Sequence, residues 1–288
     1  MSSGTPVALV TGANKGIGFG IVRELCRQTN GTIYLAARDQ ARGQDAVQLL
    51  KDEGLNANFL RLDVTDVKSI ESARDFIKNK HGGLDILINN AGIFVGTVAD
   101  KDRVPSAEAA KTTLATNFTG LLDVCNIMFP LLRPHARVVN VSSSLGSLRS
   151  LKIDALKQRL VADDLTILEL EKMVQDYIRT AEDNKLENSG YPGAFGPYAF
   201  SKILVTALTR VQQRMFDRQN KNQDIVVNAV CPGFVATDMN QHQGFKTIEQ
   251  GADSPVYLAL LPPQQNDLVH PRGQLISERI VKNWIEDQ

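Results

Sequence analysis

Residues 7–10 form an uninterrupted apolar run, Val-Ala-Leu-Val, followed at once by Thr11 and Gly12. A strand buried on both faces of a parallel sheet has this form. Similar runs at 33–36, 57–62, 86–88, 138–141, 225–230 and 273–276 predict further strands. Between them the period changes to that of a helix. Ile17, Ile21, Val22 and Leu25 share one face after the first run, and Ile70, Ala73, Phe76 and Ile77 share another after the third. Strand and helix in alternation predict an α/β fold: a doubly wound, Rossmann-type parallel sheet forming a single domain over residues 1–288, with ligands at the carboxyl ends of the strands.

One stretch breaks the rhythm. Residues 149–188 carry no convincing strand and read as a helical insertion. Its longest stripe is Leu170, Met173, Val174, Tyr177, Ile178 and Ala181, with Thr166 and Glu169 spaced as a capping box. An amphipathic helix of this length is marginal alone in water, so the stripe is expected to pack on its own subunit or on another.

Composition narrows the partners. Hydrophobic residues at 43% and charged residues at 22% describe an ordinary globular chain, and 32 Lys+Arg balance 32 Asp+Glu, so no global field favours nucleic acid or an anionic membrane. No run approaches the ~20 apolar residues that span a bilayer. The polar lead into residue 7 lacks the pattern of a leader, and the terminus at Glu286, Asp287 and Gln288 carries no targeting tripeptide. Cys26, Cys125 and Cys231 are too scattered for a disulfide framework, which suits a cytoplasmic protein. His81, His135, His242 and His270 lack metal-ligand spacing, so no metal is expected.

After the first run stands Thr11-Gly12-Ala13-Asn14-Lys15-Gly16-Ile17-Gly18, opening a helix near Gly16. Gly12 permits a tight turn, while Gly16 and Gly18 would let backbone N–H groups approach a pyrophosphate at the helix N-terminus. A plain strand-to-helix turn is the alternative. An acidic residue at the end of the second strand would bind the ribose 2′-hydroxyl of NAD, but Ala37 stands there, followed by Arg38 and Arg42. With Lys15 these cations suit a 2′-phosphate and favour NADPH/NADP+; solvated helix charges are the other reading. Asp63, ending the third strand, faces the adenine or caps the next helix, alone or with Asp66.

Tyr198 and Lys202, four residues apart, share a helical face. A nearby ammonium favours the phenolate and should pull the tyrosine down from its ordinary pKa of ~10. This spacing alone also occurs on solvated helix surfaces. Here it follows Asn89-Asn90-Ala91-Gly92 and Asn140-Val141-Ser142-Ser143, both at predicted strand ends. Together with the glycine turn and in this order, the motifs resemble the short-chain dehydrogenase/reductase family across nearly the whole chain. Asn117 and the stretch Pro232-Gly233-Phe234-Val235-Ala236-Thr237 extend the match.

The long segment before Tyr198 is similar to that of the cytosolic, monomeric, NADPH-dependent carbonyl-reducing members. The resemblance implies Tyr198 as proton donor to a carbonyl oxygen, Ser143 rather than Ser142 as its hydrogen-bonding partner, and Lys202 on the nicotinamide ribose. It also implies Asn117 positioning a water, and Asn14, Ile17, Val64, Asn90, Pro232, Gly233, Val235 and Thr237 along the cofactor. Phe234 would be a substrate wall where mammalian members often carry Trp. The expected substrates are small carbonyl compounds: ketones, aldehydes and quinones. A dedicated hydroxysteroid or prostaglandin oxidoreductase, or a non-catalytic NADPH-binding regulator, are the rivals. Cys231 is either a redox-sensitive thiol or a small buried residue.

Overall fold

The computed structural model describes residues 5–96, 104–193, 195–219, 223–264 and 270–285. The run at 7–10 becomes β1 (Val7–Thr11), followed by α1 (Gly16–Gln28), β2 (Thr32–Ala37), α2 (Gln40–Asp52), β3 (Asn58–Arg61), α3 (Val67–His81) and β4 (Leu84–Asn89). The chain continues through α4 (Ala107–Leu114), a π-helical turn (Ala115–Thr119), α5 (Gly120–Met128) and β5 (Leu132–Val141). Then come α6 (Asp154–Val161), α7 (Ile167–Glu182), α8 (Gly196–Gln219), β6 (Val226–Val230), α9 (Ile248–Ala259), β7 (Leu275–Ser277) and β8 (Ile280–Lys282).

The strands form one sheet in the order β3-β2-β1-β4-β5-β6-β7-β8, parallel except for the last pair. The order reverses direction between β1 and β4, which opens a crevice at their carboxyl ends. Alternation within each strand feeds two layers. Ala8, Val10, Ile33, Leu35 and Val139 pack toward α1, α2 and α9, while Val7, Leu9, Tyr34 and Val138 pack toward α3 and α5. Both faces being covered explains the continuous apolar runs. Leu9 is fully buried, and its truncation to Ala should cost about 2–5 kcal/mol.

The insertion folds as two helices against α4 and α8. Leu170, Met173, Val174, Tyr177 and Ala181 are buried, while Ile178 is only partly so. The capping box forms: Glu169 N donates to Thr166 Oγ1 at 3.3 Å, and the Glu169 carboxylate accepts from Thr166 N at 3.0 Å. The Tyr177 ring stacks on Phe200 of α8, centroids 4.8 Å apart and planes 14° apart.

Four expectations need correction. β8 has no apolar-run signal because it is an exposed edge strand, reached through Glu278 and Arg279 at φ 55° and 60° without the Asn-Gly pair usual in such hairpins. β5 begins at Leu132, six residues before its apolar run, in the polar stretch through Arg133 and His135. Phe76 lies outside the buried face of α3, 38% exposed with its ring edge-on to Tyr34. The helical stretch Ala107–Leu131 is apolar and long enough to cross a membrane by length and composition, contrary to expectation, but Leu114, Phe118, Leu121 and Val124 on it are buried in this protein's own core. Residues 97–103 and the terminus 286–288 lie outside the described residues.

Candidate active site

A cleft of about 510 Å³ follows the carboxyl ends of the strands from β3 to β6. At one end, β1 leads into the glycine turn. A Cβ on Gly12, whose φ is +63°, would stand 2.7 Å from the Ala91 Cα, so only glycine fits. Gly18 lines the cleft as well, and its Cβ position is filled by the Asn90 amide and the Gly12 carbonyl, so packing inside the protein also requires glycine there. Lys15 is the N-cap of α1 without a side-chain capping bond, and the first turn carries no acidic residue. Asn14, Gly16 and Ile17 line the cleft beside these free N–H groups. That is a built anion site, and the residues present fit the diphosphate of a dinucleotide.

The expected cation cluster is only partly assembled. Arg38 lines the cleft and makes no ion pair among the described residues. Lys15 also lines it, but its Nζ lies 2.8 Å from Asp238 Oδ2 across the rim, and Asp238 Oδ1 in turn lies 3.1 Å from His242 Nε2. Arg42 does not line the cleft: its guanidinium turns to Asp39 at 3.1 Å, the residue that also caps α2. Asp63 faces the cleft beside Val64, and its Oδ1 accepts from Thr65 N and Oγ1 at 2.9 and 2.8 Å. The helix-capping role falls to Asp66 alone.

Asn90 and Asn117 work through the backbone. Asn90 Nδ2 donates to the Thr11 and Gly12 carbonyls at 3.0 and 3.1 Å, clamping the glycine turn to the end of β4, while the residue also borders the cleft. Asn117 sits in the π-helical turn rather than in regular helix and does not line the cleft. Its Oδ1 accepts from Ile93 N at 2.8 Å, and its Nδ2 donates to Ile93 O and Ser201 Oγ at 2.9 and 3.1 Å. Both ends of the amide are engaged, so this side chain holds the β4 loop against α8.

At the other end of the cleft lie Ser143, Tyr198 and Lys202. Ser142 borders the cleft beside them, but its hydroxyl is buried against Lys202 O at 3.0 Å and Thr206 Oγ1 at 2.8 Å, fastening β5 to α8. Ser143 Oγ accepts from Leu145 N at 3.1 Å, which fixes the hydroxyl on a short 3-10 turn. Burial pushes Tyr198 up to about 12, with the Ser143 hydroxyl pulling the other way. Lys202 is driven down to about 8, again by burial. Its Nζ donates to Val141 O at 2.7 Å and stands 5.5 Å from the Tyr198 ring centroid. The expected lowering of the phenol is therefore not found in the protein alone, because both groups lose solvation in one dry wall.

Pro232, Gly233, Val235 and Thr237 line the cleft from the loop after β6, with Phe234 41% exposed beside them. Cys231 is buried, its Sγ accepting from Ser144 N at 3.0 Å. Cys26 is half-buried, with a thiol that burial raises to about 11. The sequence reading missed Phe94, Phe195, Asp238 and Met239, all on the cleft wall. Phe195 has the one usable signal, a large apolar side chain inside a glycine-rich approach to a helix.

The short chain dehydrogenase family model matches residues 6–154, which carry the glycine turn and the ends of β4 and β5. Carbonyl reductase (NADPH) 3 of Mus musculus is 44% identical over 286 residues, covering 99% of this chain and 100% of that protein. Carbonyl reductase (NADPH) 1 of Homo sapiens is 45% identical with the same coverage. Among solved structures, salutaridine reductase from Papaver somniferum superposes with a TM-score of 0.84 at 33% identity, over 94% of this chain and 99% of that one. Sheet order, cleft and full-length likeness agree: the chain belongs to the short-chain dehydrogenase/reductase family.

Proposed function

We propose that the protein reduces carbonyl compounds (ketones, aldehydes and quinones) to alcohols with NADPH. The observation that carries this reading is one continuous cleft joining the uncapped N-terminus of α1 and Arg38 to Ser143, Tyr198 and Lys202. The full-length relatives named as NADPH carbonyl reductases support it.

When bound, NADPH supplies the hydride. The α1 N-terminus would hold its diphosphate, and Arg38 with Lys15 its 2′-phosphate. Tyr198, protonated throughout the neutral range, gives its phenolic proton to the carbonyl oxygen as that oxygen gains charge, and the phenolate then recovers a proton from solvent. Ser143 Oγ donates to the same oxygen from a fixed position. Lys202, anchored on Val141 O, places its charge beside the tyrosine and the nicotinamide ribose. Asn117 is a positioning residue for the loop bearing Ile93.

The surface of α4 and α8 is covered by α7 of the same chain, which supports a monomer, and the balanced charge suits a cytoplasmic enzyme without nucleic-acid partners. Loss of NADPH absorbance with a panel of ketones, aldehydes and quinones tests the activity. Tyr198→Phe should lower turnover by at least ~10²-fold with NADPH still bound. Near-normal turnover in that variant removes the proposed acid. Light scattering after size exclusion should give a mass near 31.6 kDa, and a stable dimer at micromolar concentration refutes the monomer.

A further inference from the structure

Beside the reacting groups the cleft carries an aromatic surface that the proposed chemistry leaves unused. Phe94, on the loop after β4, has its ring centroid 5.8 Å from that of Tyr198 at 72° and 5.5 Å from that of Phe195 at 57°. Both phenylalanines line the cleft and neither is fully buried. They are therefore not core residues that happen to lie near the site.

Phe195 is held there against its own backbone preference. Its φ is +58°, in the left-handed region that a bulky side chain avoids, and Gly196 follows at φ +29°. Two successive positive φ values turn the chain into α8, with Tyr198 N donating to Phe195 O at 2.9 Å. The turn could be made more cheaply with a glycine at 195. A strained phenylalanine three residues from the proposed proton donor, its ring on the cleft wall, points to a use for that ring.

The sheet order supplies a second wall. Ser143 follows β5, which lies between β4 and β6, so Phe94 after β4 and Phe234 after β6 come from strands on either flank of it. Phe234 is backed by Phe245, centroids 6.0 Å apart in an edge-to-face arrangement. A carbonyl placed at Tyr198 and Ser143 would thus have flat apolar surface to either side of it.

Resting on the carbonyl-reducing function proposed above, we propose that Phe94 and Phe195 determine specificity, selecting substrates whose carbonyl is part of or directly attached to a flat ring system over small aliphatic aldehydes and ketones. An aliphatic carbonyl can meet Tyr198 and Ser143 but offers the two rings no face. A fused-ring quinone or aryl ketone offers one, and ring contacts of this kind add affinity beyond the area they bury.

The test compares 2-methyl-1,4-naphthoquinone and 1-indanone with butanal in the wild type, Phe94→Ala, Phe195→Gly and Phe195→Leu. Glycine at 195 keeps the left-handed turn and removes the ring, and leucine keeps bulk without a flat face. For Phe94→Ala and Phe195→Gly, kcat/KM for the two ring substrates should fall about tenfold relative to butanal, mainly through KM, with NADPH affinity unchanged. Phe195→Leu should lie between wild type and Phe195→Gly. An equal fall for ring and aliphatic substrates, or an unmoved ratio, overturns the proposal. Equilibrium dialysis of 1-indanone against enzyme saturated with NADP+ gives a readout independent of turnover. Weaker binding in Phe195→Gly supports the wall even if no carbonyl is reduced, which would sink only the function proposed above. Equal binding in wild type and variant overturns the wall.

Discussion

The Lys15 ammonium and the Asp238 carboxylate, 2.8 Å apart, join the glycine turn after β1 to the loop after β6 across the rim of the cleft. Lys15 therefore meets a competitor for any phosphate it is to hold. Both side chains are more than half exposed, and such pairs are worth only ~0–1 kcal/mol. Asp238→Asn should thus tighten NADPH by no more than about fivefold and leave NADH unchanged. Fluorescence titration of both cofactors measures this, and an equal change for the two would separate the pair from the 2′-phosphate.

The larger cofactor effect belongs to Arg38. Combining Arg38→Asp with Lys15→Ala removes the positive charge and adds a carboxylate next to Ala37, the position where NAD enzymes carry a ribose acceptor. The ratio of kcat/KM for NADPH to that for NADH should fall. Arg42→Ala, by contrast, should leave the ratio alone, because that guanidinium is committed to Asp39 outside the cleft.

Burial sets the pH dependence of the site. Lys202 at about 8 is a cation below that pH and neutral above it, while Tyr198 at about 12 stays protonated across the same range. Reductive kcat/KM should hold at neutral pH and decline as pH rises through about 8. Lys202→Arg, which cannot lose its charge, should push the decline to higher pH even if its overall rate is lower. A limb that does not move assigns the decline to another group.

Acid stability should be governed far from the cleft, at Asp224. Burial alone would raise this carboxyl, but the Gln264 N–H, His135 and Arg137 outweigh it and hold the group at about 2, below its ordinary 3.8. A depressed carboxyl pKa contributes stability above 3.8 that is lost as pH falls toward about 2. Asp224→Asn should flatten acid unfolding in that window. At neutral pH it should cost about 3–5 kcal/mol, since Arg137, only 3% exposed, loses its counter-charge. Urea midpoints at pH 7 and pH 3 check both halves.

Among the described residues the buried Tyr177 hydroxyl has no hydrogen-bond partner, although its ring is stacked on Phe200. Tyr177→Phe removes an unsatisfied polar atom and keeps the stack, so it should be neutral or slightly stabilising in thermal melts. Tyr177→Ala should cost about 3–5 kcal/mol and loosen α7 from α8.

Which features were legible in the sequence follows from burial and local geometry. The inner parallel strands β1, β2, β4 and β6 announce themselves because both of their faces are covered. The edge strand β8, exposed along its length, has no such pattern. The capping box at Thr166 and Glu169 is a local device and is read directly. Partner choice is not local: nothing near Arg42 distinguishes it from Arg38, and only the fold reveals that one turns to Asp39 while the other faces the cleft. The amide commitments of Asn90 and Asn117 join elements distant in the chain. Phe195 stands out only by its glycine-rich surroundings, because sequence records neither φ nor the strain that φ implies.

The π-helical turn at Ala115–Thr119 makes the length of this segment as informative as its letters. Such a turn accommodates one residue more than the α-helix on either side. Removing one of the four residues other than Asn117 would let the helix close up regularly, with α4 and α5 keeping nearly the same faces because the wide turn already absorbs the extra residue, yet the bulge that places Asn117 would be lost. Asn117 would then swing away from Ile93 and Ser201 while helix content stayed the same. A protein carrying this deletion would look intact to circular dichroism and be damaged only in the placement of its active-site loop. Spacing, rather than residue identity, is the quantity this part of the chain has to preserve.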